Sequence, residues 1–120
     1  MSNYEKLKVW HRAIELAVSV YKLTRENEFF QKDFALKDQM RRASVSISSN
    51  IAEGDELGTD KQAIRQFFIA KGSSAELYSQ LIIAYRISYL NADEVKYYLN
   101  ECKAISAMLS NLIKSRTTEE

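Results

Sequence analysis

Between Phe34 and Gly54, the apolar residues Leu36, Met40, Ala43, Ile47 and Ile51 follow one another at spacings of four, three, four and four. That spacing lays one hydrophobic seam along a helix. Beside the seam stand Ala43, Ser44, Ser46, Ser48 and Ser49, whose small side chains let a neighbouring helix approach closely. The pattern predicts a central helix over about 34–53, packed on more than one side. Asp33 is placed to cap its start, and Gly54 to end it, because glycine tolerates the positive φ found just past a last turn.

The flanking stretches carry the same period. From about Leu7 to Arg25, the residues Val9, Trp10, Ala13, Ile14, Ala17, Val20, Tyr21 and Thr24 form a broad stripe, with Trp10 as a core anchor. Leu16, Val18 and Leu23 fall outside the stripe and give a second apolar flank, suited to a second helix or another subunit. Phe29 and Phe30 are the only apolar content of the acidic connection that follows, and are expected to close one end of the core. Thr59 with Gln62 has the form of a capping box and starts a helix over about 60–89, which at about 1.5 Å per residue would span about 45 Å. One edge of it reads Ile64, Phe67, Phe68, Lys71, Ala75, Tyr78, Ile82, Tyr85 and Tyr89. Gly72-Ser73-Ser74-Ala75 interrupts this helix with small residues. Counted from the turn near Leu57, Gly72 falls level with Arg42, so the two small patches are expected to meet. Asn91 with Glu94 is a second capping box, opening a helix over about 92–114. Its buried face reads Val95, Tyr98, Leu99, Cys102, Ile105, Ser106, Leu109, Leu112 and Ile113, and a polar tail follows over 115–120. Four amphipathic helices with short links predict an all-α, up-down-up-down four-helix bundle forming one domain over 1–120.

Composition sharpens this picture. The 120 residues include no proline and three glycines, too few chain breakers for hairpins and many turns. One cysteine, Cys102, permits no internal disulfide and no cysteine zinc site, and fits a reducing compartment. No apolar run reaches the roughly 18 residues of a membrane span, and Met1-Ser2-Asn3-Tyr4-Glu5-Lys6 has no signal-peptide pattern, so a cytoplasmic protein with no membrane partner is expected.

Candidate chemistry is sparse. His11 is the only histidine, reads as a surface or boundary residue, and belongs to no Glu-x-x-His motif. No phosphate loop, nucleophile elbow or dinucleotide fingerprint occurs. The expectation is therefore no enzyme, no cofactor and no metal. With 17 Lys plus Arg against 16 Asp plus Glu, only the arrangement of charge can define a partner surface. The first three helices are rich in cations, while acid concentrates in the loops and the last helix. Lys8, Arg12, Lys37, Arg41, Lys61, Arg65 and Lys71 are the candidate contacts to a phosphate backbone. The other reading of the same residues is a solvated face with local ion pairs. Arg42, Asn50, Glu53 and Glu76 lie at or beside the apolar seams, and a buried charge needs a partner. They are expected to form a structural polar network that fixes helix pairing, with Arg42 to Glu76 as its central pair.

Several of these stretches resemble a known family. Leu7-Lys8-Val9-Trp10, Gln39-Met40-Arg41-Arg42-Ala43-Ser44-Val45-Ser46-Ile47, Ser49-Asn50-Ile51-Ala52-Glu53-Gly54 and Phe67-Phe68-Ile69-Ala70-Lys71-Gly72-Ser73-Ser74-Ala75-Glu76-Leu77 are similar to the bacterial four-helix-bundle proteins encoded in 23S rRNA intervening sequences. The resemblance covers about Tyr4 to Leu90; the last helix matches only in pattern, and the loop before Phe34 lacks the family's usual proline. The family includes the accessory variability determinant protein of diversity-generating retroelements, a basic ring of five bundles that binds nucleic acid and a reverse transcriptase. The resemblance implies a ring-shaped homo-oligomer, a homopentamer, for this chain. It also implies RNA or DNA as a partner, or a protein partner such as a reverse transcriptase.

Overall fold

The structure, a computed structural model, describes Tyr4 and residues 7–117. Residues 1–3 and 5–6 of the N-terminal hexapeptide and 118–120 of the polar tail lie outside the described residues. The elements are α1 (Lys8–Glu26), α2 (Glu28–Gln31), α3 (Phe34–Glu56), α4 (Asp60–Arg86) and α5 (Ala92–Arg116). The four long helices pack as an antiparallel bundle. Ser46 meets Ser73 across α3 and α4, Lys71 meets Ser110 across α4 and α5, and Arg12 meets Glu101 across α5 and α1. The particle measures 49 × 24 × 20 Å.

Local chemistry sets the helix ends. Asp33 accepts from the Leu36 N–H and caps α3, and Asn91 and Glu94 form the reciprocal capping box that starts α5. Thr59 caps α4 by accepting from the Gln62 N–H, but its hydroxyl meets the Gln62 side chain, so the box there is not closed through the backbone. α4 stops at Arg86, short of the predicted Tyr89. Ser88 turns to φ 68, the Tyr89 N–H donates to the Ala84 carbonyl and the Ser88 N–H to that of Tyr85. This is the left-handed closure for which glycine is the usual residue.

Gly54 does not terminate α3, which continues to Glu56. It is buried within the helix, and a Cβ there would lie 2.9 Å from Gln66 Cβ and 3.2 Å from the Ala63 carbonyl oxygen of α4. Its role is close approach of two backbones; the positive φ of the turn falls on Gly58. The small patches do meet, but about five residues away from the expected register, with Gly72 about level with Ile47 instead of Arg42. Ser46 Oγ and Ser73 Oγ are 2.9 Å apart, whereas Gly72 faces solvent.

The stripe on α1 is rotated relative to the expectation. Leu16 is fully buried with Val9, Ala13, Ala17, Val20 and Thr24, while Tyr21 lies on the exposed flank. α5 packs on the Leu16 side, where the Tyr98 hydroxyl reaches the Ser19 carbonyl, and this draws the core toward it. Trp10 packs against the core at its edge, with Tyr4 and His11 meeting its ring edge-on. At the opposite end, Asn27 caps α2 and donates to the Tyr89 carbonyl. Phe30 is fully buried, Phe29 stacks on Tyr89 at 5.4 Å, and the Tyr89 hydroxyl donates to Asp33. The aromatic pair thus closes the core as its position implied.

Candidate nucleic-acid interface

The seven candidate cations do not share one face. Arg12 makes two hydrogen bonds, of 2.8 and 2.9 Å, to Glu101 on α5. The pair holds the Glu101 carboxyl below its ordinary range and raises the guanidinium in turn. Arg41 lies on the α1–α3 seam, stacked 4.4 Å from the Tyr21 ring centroid and donating to Thr24 Oγ1. Lys37, one turn earlier, sits over Phe34. Lys8 lines a depression between the start of α1 and the end of α5. Lys61 and Arg65 are exposed on the first two turns of α4. Lys71 crosses to α5 and donates to Ser110 Oγ at 2.7 Å.

The expected structural network takes a different form. Arg42 is exposed and pairs with Asp38 one turn earlier on its own helix, at 2.9 Å, while Glu76 lines the same shallow α3–α4 depression with no ion pair among the described residues. Both side chains are far enough into solvent that neither requires the other. Asn50 donates to the Ser46 carbonyl and hydroxyl, continuing to Ser73, so the polar link between α3 and α4 is made by Asn50, Ser46 and Ser73. Glu53 is exposed and takes no part.

The α4–α5 seam carries what the sequence reading missed. On α4, Lys71, Tyr78 and Tyr85 recur every seven residues; on α5, Lys96, Lys103 and Ser110 do the same. The helices run antiparallel, so these two rows face each other as a ladder. Lys71 bonds Ser110, Lys103 Nζ lies 5.7 Å from the Tyr78 ring centroid, and Lys96 and Tyr85 line one depression. Successive rungs stand two turns, about 10.5 Å, apart. Two adjoining depressions of about 320 and 330 Å³ run along the seam, sharing Tyr78 and Lys103, and no carboxylate lines either.

Most carboxylates near the seam are engaged elsewhere, while Asp93 stands exposed in the first turn of α5, three residues before Lys96. Glu101 is held by Arg12, Glu94 is occupied in the cap of α5, and Glu76 faces the α3 side of α4. Asp55 and Asp60 lie by Arg116, which bonds the buried Asp55 at 2.8 Å. The acid of α5 therefore belongs to its α1 flank and its first turn, and the lysines to its α4 flank. Glu94 and Glu101 precede Lys96 and Lys103 by two residues each, a displacement of about 200° around a helix. Summing charge over the whole helix concealed this; the offset of the two heptad rows was the available signal.

The seam also holds Cys102. Burial pushes its thiol up to about 12, opposed by a hydrogen bond from Ser74, so at neutral pH it is a protonated, unreactive side chain. Among the described residues, no group of three or more His, Cys, Asp or Glu is placed to hold a metal ion, and no helix is long and apolar enough to cross a membrane.

Fold and surface together define a small antiparallel helical bundle with a lysine ladder along one seam. The chain belongs to the 23S rRNA-intervening sequence protein family, whose model matches residues 5–111. Among solved structures it is similar to a protein of unknown function from the S23 ribosomal protein family of Bacteroides thetaiotaomicron. The two are 25% identical with a TM-score of 0.83, over 88% of this chain and 98% of that one. No curated protein matches the sequence.

Proposed function

We propose that this protein is a non-enzymatic helical bundle that binds nucleic acid, RNA or an RNA–DNA hybrid, through the α4–α5 seam. The observation that carries the reading is Lys96 and Lys103 in depressions that no carboxylate lines, with Lys71 one rung further along the same seam. Lysines along a trough that no carboxylate lines neutralise backbone phosphates, release counterions and give affinity that falls steeply with salt. Of the candidates on the other faces, Arg12 and Arg41 have fixed intramolecular partners and serve structure. Lys61 and Arg65 extend the positive surface from the start of α4.

The test is a binding titration with labelled RNA at several salt concentrations. Lys96→Glu with Lys103→Glu should abolish binding while leaving the helical content intact. Lys37→Glu should change it little. Equal losses from both variants, or a flat salt response, would refute the reading.

A second reading, a self-associating scaffold, rests on the other flank of α4. Ile69, Ile83 and Ile87 are 42%, 50% and 47% exposed, and Phe68 on the outermost line is 56% exposed. Such a strip suits contacts between copies, in the ring of five that the resemblance implies, or docking of a protein partner. The two flanks are compatible: one face assembles and the other binds. Ile83→Glu is expected to reduce the particle mass in solution, and an unchanged mass would remove this role.

A further inference from the structure

We propose that the α4–α5 seam takes single-stranded nucleic acid, with an unpaired base stacked on Tyr85 and the adjoining phosphates on Lys96 and Lys103. This rests on the reading of the seam as the nucleic-acid surface and adds which form of nucleic acid it selects. Phosphate binding alone accounts for the lysines but not for what lies between them. The depression that holds Lys96 and Lys103 is lined otherwise by Tyr78, Ile82, Tyr85, Ala92, Val95, Leu99 and Asn100. Most of that surface is apolar, and Tyr85 is 42% exposed, so its ring is accessible beside the cations. Tyr78, half-buried, already has Lys103 over its ring. Among the described residues, no cation lies over the Tyr85 ring.

A duplex keeps the faces of its bases within its own stack and offers the seam only phosphates and sugar. A single strand can turn a base outward and place its π-face on an aromatic ring, a contact that every base can make. An apolar, tyrosine-bearing trough with lysines along it therefore discriminates by strandedness. Sequence selectivity is not expected, since the lining offers only Asn100 and the tyrosine hydroxyls as neutral hydrogen-bonding side chains. The two lysines that hold the phosphates set the electrostatic part. For a single strand, log K falls with log salt by about 0.7 per phosphate neutralised, so the slope should be about −1.4.

The experiment uses the full chain and four probes: a short single-stranded RNA of mixed sequence, its duplex, an abasic strand of equal length and poly-glutamate. The single strand is expected to bind about five-fold or more tighter than the abasic strand, the lower end of one base–aromatic stack. Tyr85→Ala should remove that advantage and leave abasic binding unchanged, and Tyr85→Phe should restore it, which separates stacking from misfolding. Lys103→Glu should weaken both strands. If the single strand binds no better than the abasic strand or the duplex, or Tyr85→Ala changes nothing, stacking is overturned while the phosphate-binding seam stands. If no nucleic-acid probe binds, or poly-glutamate binds as tightly as the RNA, both readings fall.

Discussion

Gly54 and Gly72 both lie inside long helices, yet the structure assigns them opposite responses to the same substitution. In an exposed helix interior, glycine to alanine gains about 1 kcal/mol, because alanine loses less backbone freedom on folding. A Cβ at Gly72 would meet nothing within 4 Å, so Gly72→Ala should show that gain undiminished. A Cβ at Gly54 would stand 2.9 Å from Gln66 Cβ, 3.0 Å from Phe67 Cε1 and 3.2 Å from the Ala63 carbonyl oxygen. Two of these three atoms belong to the backbone or sit directly on it, so no flexible side-chain tip can swing away. Restoring ordinary contact requires α4 to retreat by about half an ångström, and a gap of that size forfeits about a quarter of the attraction at each neighbouring contact. Overpacking of this kind costs about 1–3 kcal/mol. Set against the helical gain, Gly54→Ala should destabilise the protein by about 1 kcal/mol. Urea titration followed by circular dichroism measures both variants, provided the slopes with denaturant remain equal. The reasoning fails if Gly54→Ala stabilises to the same extent as Gly72→Ala, because α3 and α4 would then not be in backbone contact at that point.

Three further outcomes follow from the same structure. Arg116→Ala should cost about 3 kcal/mol in chemical denaturation, because it leaves the Asp55 carboxylate buried without its cation, and Asp55→Asn in the same chain should recover part of the loss. Ser88→Gly should raise stability by about 1 kcal/mol, since the residue already holds φ 68, and an unchanged urea midpoint would deny that strain. Cys102 holds its proton when folded up to about 12, whereas the unfolded thiol releases it near the ordinary 9.0. Its contribution is therefore complete below about 9 and declines as pH rises toward 12. The urea midpoint of the wild type should fall more steeply over that window than that of Cys102→Ala, and parallel curves would contradict the burial.

The helical periods made the architecture legible. Asp33, Asn91 and Glu94 announce their caps, and the spacing from Leu36 to Ile51 defines the buried side of α3. Other features depend on facts a single helix does not contain. Gly54 looks like a terminator until α4 is seen against it, because glycine serves equally for positive φ and for close approach. Leu16 counts as a flank until α5 supplies the wall it packs on. Arg42 lies beside the seam in sequence, but its long side chain leaves for solvent and Asp38, so no buried pair is needed. The site was harder to read for an electrostatic reason. Arg12 and Arg41 resemble free cations until their partners from other helices are in place, and Lys96 and Lys103 are masked by Glu94 and Glu101 two positions earlier. Charge counted by helix differs from charge presented by a face, and only the packing assigns the faces.

Photochemical crosslinking of bound single-stranded RNA, followed by mass spectrometric mapping of the attached peptides, tests the α4–α5 seam most directly. Adducts are expected on the segments containing Lys71, Tyr85, Lys96 and Lys103, and should disappear as salt is raised. Adducts confined to the α1–α3 face around Tyr21, Lys37 and Arg41 would contradict the account.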